Sequence, residues 1–372
     1  MRHNWEYKRL GEVCEIQPGQ RIVSKDTLPG EYFVYGGGGA TFTTQNYNRE
    51  NSMIVSRFAM SHCCVRFVKG KFFLNDSGLS VNTHSPLLDQ GYLDKYLWSN
   101  QSLIYSLGRG AAQKNLNMKA FSDIKLPIPP IKEQELIVAE LDKINEIIND
   151  CKEVIRNLDA LAQSLFYDYF GDPIINHNKR KNSPLNNLCT VTSSNRIFAD
   201  EYCENGIPFY RGKEVSELSR GENISTELYI SKERYELLKA SNNIPQINDI
   251  LITAVGTIGN IWIVNSAKPF YFKDGNIIWL KDIDHASINS VYFKYFLKKL
   301  IRDEKEKMAN GSAYKALTIQ KLKKTNVILP PLAHQQKFAS QIEQIELQKK
   351  DLEETIANMQ SLLKSRMDYW FN

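Results

Sequence analysis

Long apolar runs, paired cysteine motifs and nucleotide-binding motifs are all missing from this chain of 372 residues. No stretch approaches the ~18 consecutive apolar residues of a membrane span, and the polar start MRHNWEYKRL predicts no secretory signal. The 6 cysteines form no CxxC pair, which favours a reduced, cytoplasmic setting over a secreted disulfide scaffold. The sequence therefore predicts a cytoplasmic globular protein, long enough for two or more domains with buried cores.

Motifs for catalysis are also missing. No GxxxxGK[ST] loop is present for a nucleotide phosphate, and YGGGGATF (Tyr35 to Phe42) lacks GxGxxG spacing and is expected to be a flexible loop. The two Pro-Pro pairs follow Ile128 and Leu329, unlike the Asp/Asn-Pro-Pro-aromatic tetrapeptide expected of a methyltransferase. No cluster has metal-ligand spacing. We therefore predict no catalytic residues, no metal and no cofactor in this chain.

An internal repeat is the strongest feature that the sequence does contain. LPIPPIKEQE (Leu126 to Glu135) is echoed by ILPPLAHQQ (Ile328 to Gln336), with Pro130 and Pro331 separated by 201 residues. The same spacing relates Gly110 to Gly311 and Phe170 to Phe371, so the match extends over more than sixty positions. The chain contains two copies of one plan.

The upstream part of each copy matches at shorter spacings. RLGEVCEI (Arg9 to Ile16) aligns with PLNNLCTV at 175, EYFVYGG (Glu31 to Gly37) with IPFYRGK at 176, and SMIVSRFA (from Ser52) with ILITAVGT at 198. The second copy therefore carries 26 additional residues, of which 22 fall between Gly212 and Ile250. The sequence does not define the role of these additional residues, which could reach further into a groove or form a peripheral helix.

Each copy changes character at its Pro-Pro pair. Short β-rich runs such as MIVS, CCVRFV and DILITAV, separated by Gly, Asn and Asp, precede the prolines. A segment of about 40 residues without Gly or Pro follows, as is typical of a long helix. Proline suits the start of a helix because its missing N–H needs no partner there. The first-turn residues Glu133, Gln134, Gln335 and Gln336 suit the positive helix end or cap it.

Both predicted helices carry an apolar seam with alternating spacings of 4 and 3, the pattern of a coiled coil. In the first helix we assign to the seam Ile137, Leu141, Ile144, Ile148, Cys151, Ile155 and Leu158. In the second we assign Phe338, Ile342, Ile345, Leu352, Ile356, Met359 and Leu363, and Lys349 and Arg366 interrupt the pattern. We expect the two helices to pack antiparallel, because this arrangement places the globular parts at opposite ends with pseudo-two-fold symmetry. Each rod would be about 60 Å long, longer than one ~34 Å turn of B-DNA.

These features together resemble the DNA specificity subunit of type I restriction–modification systems, over essentially the whole chain. The resemblance rests on the helix openings PPIKEQE and PPLAHQQ, on GAAQKNL and GSAYKAL before them, on GIPFYRGKEV, and on the aromatic helix endings LFYDYFGD and MDYWFN. It implies an α+β fold: two globular α/β target-recognition domains, each followed by a long helix, with the helices packed as an antiparallel coiled coil. The corresponding segments are 1–129 (first recognition domain), 130–171 (central helix), 172–330 (second recognition domain) and 331–372 (C-terminal helix).

The resemblance also implies a function. Each recognition domain would read one half of a split double-stranded DNA site, and the coiled coil would set the spacing and dock two methyltransferase subunits. S-adenosylmethionine and ATP would be bound by partner subunits, among them restriction/translocase subunits, and no membrane is involved. EYFVYGGGGATF in the first copy differs from IPFYRGKEV in the second, which predicts two different half-sites and an asymmetric target.

Residues that could contact DNA are Arg, Lys, Asn, Gln, Ser and aromatic side chains in matched loops, since base edges need hydrogen-bonding groups and phosphates need cations. In the first copy the candidates are Arg57, Lys71, Asn75, Ser77, Arg109, Gln113 and Lys114. In the second they are Arg211, Lys213, Lys273, Asn276, Asn310, Tyr314 and Lys315. Arg211-Gly212-Lys213 is taken as the counterpart of Tyr35-Gly36-Gly37.

Two alternatives remain open at the level of the sequence. The chain could be a DNA methyltransferase or nuclease in its own right, and binding of S-adenosylmethionine or DNA cleavage by the chain alone would favour that function. It could also be a non-specific coiled-coil scaffold, which salt-sensitive DNA binding without sequence preference would favour.

Overall fold

The computed structural model describes residues 5–110, 113–172, 181–309 and 317–371. The chain divides into two compact units: unit 1 comprises Met1–Glu153 with Leu352–Asn372, and unit 2 comprises Val154–Asp351. Each unit therefore combines one copy of the repeat with a helical segment from the other copy.

The elements from the first copy alternate short strands and helices before one long helix. In chain order they are β1 (Glu6–Arg9), α1 (Leu10–Val13), β2 (Cys14–Pro18), β3 (Tyr32–Gly36), β4 (Gly39–Thr44), β5 (Arg49–Ser56), β6 (Val65–Leu74), β7 (Gly78–Thr83), α2 (Gln90–Ser99), α3 (Gln101–Ser106), β8 (Gly108–Arg109), β9 (Asn115–Leu116), α4 (Met118–Ser122), β10 (Lys125–Ile128) and α5 (Ile131–Phe170).

The elements from the second copy follow the same plan. They are β11 (Asn182–Pro184), β12 (Thr190–Thr192), β13 (Tyr202–Cys203), β14 (Ile207–Tyr210), α6 (Gly212–Ser219), β15 (Tyr229–Ile230), α7 (Lys232–Ala240), β16 (Ile250–Thr253), β17 (Ile261–Ile263), β18 (Tyr271–Phe272), β19 (Ile277–Lys281), α8 (Ser290–Ala309), α9 (Ile319–Lys323), β20 (Asn326–Ile328) and α10 (Leu332–Phe371). The predicted strands around MIVS, CCVRFV and DILITAV are confirmed as β5, β6 and β16.

A six-stranded mixed sheet in the order β2-β7-β5-β6-β3-β4 organises unit 1. Val55, Leu79 and Val81 on this sheet share one buried cluster with Leu93 and Leu97 of α2. The same cluster contains seam residues from the first part of α5 and the last part of α10. Burial of this apolar surface is the main favourable contribution to the free energy that holds the two ends of the chain in one unit.

In place of the six-stranded sheet of unit 1, unit 2 contains two four-stranded sheets. Their strand orders are β12-β19-β16-β17 and β13-β15-β14-β18. Its main cluster joins Ile252 and Leu280 of the first sheet to Phe293 and Phe296 of α8. The last part of α5 contributes Phe166 and Phe170 to the cluster, and the first part of α10 contributes Phe338. The two units thus repeat the arrangement of a sheet, a helix and a pair of long-helix segments.

The strand registers confirm the repeat and correct one of its offsets. Tyr35 pairs with Leu74 in the parallel β3–β6 ladder, and Tyr210 pairs with Phe272 in the parallel β14–β18 ladder. Since Leu74 and Phe272 are 198 residues apart, Tyr210 is the counterpart of Tyr35, at a spacing of 175 rather than 176. The prediction that Arg211 corresponds to Tyr35 was wrong by one residue, because a short aromatic match cannot fix a register.

The additional residues of the second copy form ordered structure rather than one loop. They include α6, β15 and α7, and β15 pairs antiparallel with both β13 and β14. Val215 of α6 is fully buried in an apolar cluster with Leu251 and Trp262. The helix α6 is therefore part of the core of unit 2.

The glycine run YGGGG is a hairpin turn and not the expected flexible loop. β3 ends at Gly36 and β4 begins at Gly39. A Cβ atom at Gly37 would lie 2.9 Å from the carbonyl oxygen of Phe58, closer than any side chain tolerates. Glycine is required here because another backbone approaches the turn.

Both long helices begin directly after the second proline of their Pro-Pro pair. The Pro130 carbonyl oxygen accepts hydrogen bonds from the backbone N–H groups of Glu133 (2.8 Å) and Gln134 (3.1 Å), and Pro331 accepts in the same way from His334 and Gln335. Each proline is thus the residue that caps the helix with its carbonyl, one position before the first helical residue.

Gln134 and Gln335 are fully buried and do not cap the helices with their side chains. The Gln134 side chain accepts from the Asp89 N–H (2.8 Å) and donates to the carbonyl oxygens of Leu87 (2.8 Å) and Pro129 (2.7 Å). Gln335 makes the equivalent contacts with Asn289, Ser287 and Pro330, at 2.9, 3.1 and 2.8 Å. Each glutamine therefore fastens the start of a long helix to the loop before α2 or α8.

Candidate nucleic-acid interface

Several predicted DNA-contacting residues of unit 1 lie in loops that the backbone brings together. We name as loop cluster 1 the residues 35–38, 56–60, 75–78 and 113–116. The Asn75 N–H donates to the Tyr35 carbonyl and the Arg57 N–H to the Ser77 carbonyl, both at 2.8 Å. The Met60 N–H donates to the Lys114 carbonyl at 2.9 Å. These bonds place four loops that are distant in sequence on one rim of the unit.

Aromatic rings hold two of the cationic candidates at this rim. The Arg57 guanidinium carbon lies 4.7 Å from the ring centroid of Phe58, and the Lys114 ammonium lies 4.1 Å from that of Tyr105. Both side chains are partly exposed, so a cation–π contact orients each charge without removing it from water. Arg109 and Gln113 are exposed beside them. This arrangement can present cations to a polyanion.

Asn75 and Ser77 take part in building the loop. Asn75 Oδ1 accepts from the backbone N–H of Ser77 (2.9 Å) and from its hydroxyl (2.6 Å), and Ser77 Oγ accepts from the Gly37 N–H at 3.0 Å. Lys71 lies on β6 with its ammonium 4.6 Å from the ring centroid of Tyr47, and a hydrogen bond to that phenol raises the pKa of the lysine. Contacts to bases by these residues remain a prediction.

Unit 2 gathers the corresponding loops, which we name loop cluster 2: residues 210–213, 254–259 and 273–276. The Lys273 N–H donates to the Tyr210 carbonyl (2.9 Å), and the Ala254 N–H donates to the Asn276 carbonyl (2.8 Å). The hydroxyl oxygens of Ser216 and Thr257 lie 2.9 Å apart. The backbone bond between Lys273 and Tyr210 is the counterpart of that between Asn75 and Tyr35 in unit 1.

The candidates of loop cluster 2 have different surroundings. Arg211 donates to the carboxylate of Glu214 at 3.1 Å. Burial opposes ionisation of Glu214, but hydrogen bonds from the Arg211 side chain and backbone outweigh it and lower the carboxyl pKa. Lys213 is exposed, and its ammonium lies 4.0 Å from Glu217. Arg211 is therefore engaged within the fold, whereas Lys213 is accessible. The candidates Asn310, Tyr314 and Lys315 lie outside the described residues.

The predicted seam residues line the helix pairs of the two units. In unit 1 the buried members are Ile137, Leu141, Ile144, Ile148, Cys151 and Leu363, and in unit 2 they are Phe338, Ile342 and Ile345. Ile155, Leu158, Leu352, Ile356 and Met359 are partly buried. In unit 2, Asp159 contacts Lys349 and Phe170 contacts Phe338, so the partners on α10 recede as α5 advances. The helices therefore run antiparallel there.

The two cations that interrupt the seam of α10 each face a carboxylate of α5. In unit 2 the Lys349 ammonium lies 2.8 Å from Asp159 Oδ1. In unit 1 Arg366 forms a bidentate pair with Glu140, which also accepts from the Trp370 indole N–H at 3.0 Å. The heptad pattern marked these cations only as breaks, and their partners could not be identified without the register between the helices.

Metal-ligand clusters and membrane-spanning helices are missing from the part of the chain that the structure describes. Among residues 5–110, 113–172, 181–309 and 317–371, no group of three or more His, Cys, Asp or Glu side chains could hold a metal ion. None of the helices in these ranges combines the length and the apolar composition of a membrane span. The site consists of loops that can bind a polyanion and helices that join the copies.

The chain contains two copies of an α+β unit, which are joined through long paired helices. Each copy carries a cationic loop cluster. These features define a repeat protein that is suited to binding a polyanion at two places. A family model described as the type I restriction modification DNA specificity domain matches residues 2–158 and again residues 178–359. The chain belongs to this family. It is a type I specificity subunit with two specificity domains, a non-catalytic component of the restriction–modification complex that acts on DNA together with other subunits of the system.

Relatives match over most of the chain at low identity. A protein of Haemophilus influenzae assigned to the type I restriction enzyme specificity subunits is 25% identical over 352 residues, which cover 92% of this chain and 87% of that protein. The type I restriction enzyme MjaVIII specificity subunit of Methanocaldococcus jannaschii is 21% identical over 373 residues, with coverages of 92% and 86%.

Solved structures share the fold. The type I restriction-modification system S subunit from M. genitalium aligns with a TM-score of 0.59 at 18% identity, covering 98% of this chain and 96% of that chain. A chain from a structure concerned with complex assembly and conformational transition of the type I R-M system aligns with a TM-score of 0.61 at 19% identity, covering 99% and 97%. The predicted α+β architecture with long paired helices is thus confirmed.

Proposed function

We propose that this chain reads a split DNA sequence, with one recognition domain for each half. The observation that carries the proposal is that both units use equivalent backbone hydrogen bonds to gather equivalent loops, Tyr35 with Asn75 and Tyr210 with Lys273. Rims that gather cationic and hydrogen-bonding side chains suit both phosphate and base contacts. The predicted DNA-contacting residues belong to this proposal.

The target is asymmetric. The scaffold is shared, but the side chains at corresponding places differ: Gly36 and Gly37 of loop cluster 1 stand where loop cluster 2 has Arg211 and Gly212. Base edges in the major groove are distinguished by donor and acceptor patterns, so different side chains select different bases. Two unlike rims on one chain therefore read two unlike half-sites.

The helices set the distance between the half-sites and dock the partner subunits. α5 and α10 each contain 40 residues, which corresponds to about 60 Å per helix. The exposed faces of the helices are available to two methyltransferase subunits, and restriction/translocase subunits join that assembly. Residues 1–129 and 172–330 are the recognition domains, and 130–171 and 331–372 are the helical segments. A cytoplasmic location agrees with the free thiols of all six cysteines.

The purified chain, assayed alone and then with its cognate methyltransferase, tests this function. Fluorescence anisotropy should show tighter binding to a duplex that carries the split site than to a shuffled duplex of the same composition. Isothermal titration should show no binding of S-adenosylmethionine to the chain alone. Binding of S-adenosylmethionine by the isolated chain would favour an enzyme, and equal affinity for the two duplexes would favour a non-specific scaffold.

A further inference from the structure

Arg21 and Arg196 occupy equivalent places in the two units, although neither was among the predicted contacts. They are 175 residues apart, the spacing that relates Tyr35 to Tyr210. Each lies three residues before a short 3-10 turn, Ser24–Asp26 in unit 1 and Ala199–Glu201 in unit 2. The turns are also 175 residues apart, so the two arginines match in structure as well as in sequence.

The loop that carries Arg21 lies on loop cluster 1. The Gly19 N–H donates to the Gly78 carbonyl (3.0 Å), and the Gln20 N–H donates to the Leu74 carbonyl (2.9 Å). A Cβ atom at Gly19 would lie 2.1 Å from the Asn75 carbonyl oxygen, so the two backbones are in direct contact. Arg21 is exposed directly after these anchored residues.

The loop that carries Arg196 contacts loop cluster 2 through the side chain of Ser193. The Ser193 hydroxyl donates to the Ile277 carbonyl (3.0 Å) and accepts from the Gly275 N–H (3.2 Å). The Arg196 side chain is 71% exposed, 3.9 Å from Asp274, and its guanidinium carbon lies 5.4 Å from the Phe198 ring centroid. The ring and the carboxylate hold the guanidinium at the rim while most of it faces water.

We infer that Arg21 and Arg196 are phosphate-contacting residues that position each recognition domain on the DNA backbone. This inference rests on the proposed function. If the two units read different bases, a residue that both units share at one place must contact what the half-sites have in common, and that is the phosphate backbone. A guanidinium suits this task, because its planar N–H groups bind a phosphate bidentately.

The test uses the complex of the full chain with its cognate methyltransferase and a fluorescein-labelled duplex carrying the split site. Arg21→Ala and Arg196→Ala should each weaken binding roughly tenfold, for the specific and the shuffled duplex alike. Each should reduce the slope of log affinity against log salt by about 0.9, and the double variant by about twice that. Arg21→Lys and Arg196→Lys should keep most of the slope, because they keep the charge.

Lys25→Ala is the matched control, because Lys25 is an exposed cation of the same segment whose counterpart in unit 2 is Asp200. Its salt slope should equal that of the unaltered complex. Three results would overturn this inference and leave the proposed function standing. They are an unchanged salt slope in both arginine variants, an equal reduction of the salt slope in Lys25→Ala, and a changed methylation motif in an arginine variant. If the unaltered complex bound both duplexes equally, the proposed function would fail, and this inference with it.

Discussion

Arg366 and Glu140 form a bidentate ion pair between α10 and α5 within unit 1, with Arg366 Nη2 3.0 Å from Glu140 Oε2. The arginine breaks the apolar seam of its own helix, and the glutamate supplies the charge that compensates the break. The position 201 residues before Arg366 is Leu165, so the pair is not repeated in the other copy. The ion pair therefore distinguishes the helix pairing of unit 1 from that of unit 2.

Glu140→Gln is expected to loosen the end of α10. The hydrogen bond from Arg366 lowers the pKa of Glu140, so the ionic stabilisation is present above the ordinary pKa of 4.5 and is lost as the pH falls through the lowered value. Because both side chains are about one-third exposed, we expect a loss of only about 0.5–1 kcal/mol at pH 7. Hydrogen exchange of residues 352–371 measures it, and a difference that grew below pH 4 would contradict the ion-pair explanation.

Gln134→Leu is expected to destabilise the junction between α5 and the loop before α2. Leucine has a similar volume but leaves the Asp89 N–H and the carbonyls of Leu87 and Pro129 without the side-chain partner seen here. We expect a cost of about 2–4 kcal/mol, with faster hydrogen exchange at residues 87–93. Gln335→Leu should have the same effect at residues 287–293.

The exposed neighbour Gln336 provides the control for these variants. Gln336→Leu should leave hydrogen exchange at residues 287–293 unchanged. Protection at residues 87–93 that survived Gln134→Leu would show that the glutamine does not fasten the helix to the loop.

Ile144→Asp combined with Ile148→Asp tests the seam. Both isoleucines are buried, with 6% and 4% exposure, so the double variant would lose their apolar contacts and place two carboxylates in an apolar cluster. We expect at least about 3 kcal/mol of destabilisation and loss of the methyltransferase complex on size-exclusion chromatography. Asn149→Asp, an exposed change on the same helix, should leave the elution volume unchanged. An intact complex in the double variant would refute a role of this seam in assembly.

Lys114→Ala should weaken DNA binding without changing the sequence that is methylated. The ammonium lies over the Tyr105 ring at the rim of loop cluster 1, where a point charge binds phosphate and carries little base information. Affinities for the split-site duplex and a shuffled duplex should fall together. A new methylation motif in this variant would mean that Lys114 reads a base.

The repeat and the helices could be predicted because their signals are long. A match that extends over more than sixty positions outweighs chance, and forty residues without Gly or Pro permit little but a helix, as α5 and α10 show. Short signals were less reliable: the aromatic match around Tyr35 was misaligned by one residue until the β3–β6 and β14–β18 registers corrected it. Gln134 was interpreted as a helix-end residue, since its buried partners at residues 87–89 are distant in sequence.

The candidate site was only partly accessible from the sequence. The sequence repeat identified the loops that carry candidate residues, and the structure brings Arg57, Ser77 and Lys114 together. The repeat could not show that Arg211 is engaged by the buried Glu214. Arg21 and Arg196 could have been found, because they follow the same spacing of 175 as the flanking segments. Without the contact between residues 19–20 and residues 74–78, however, nothing distinguished them from other surface arginines.

The central claim is that one chain specifies a split, asymmetric DNA site, and methyladenine sequencing tests it most directly. The chain would be co-expressed with its cognate methyltransferase in a host that lacks adenine methylation, with the methyltransferase alone as the control. We predict methylation that depends on this chain, at a motif of two short, different elements separated by a fixed non-specific spacer. Methylation at an uninterrupted palindrome, or the same motif without this chain, would contradict the account.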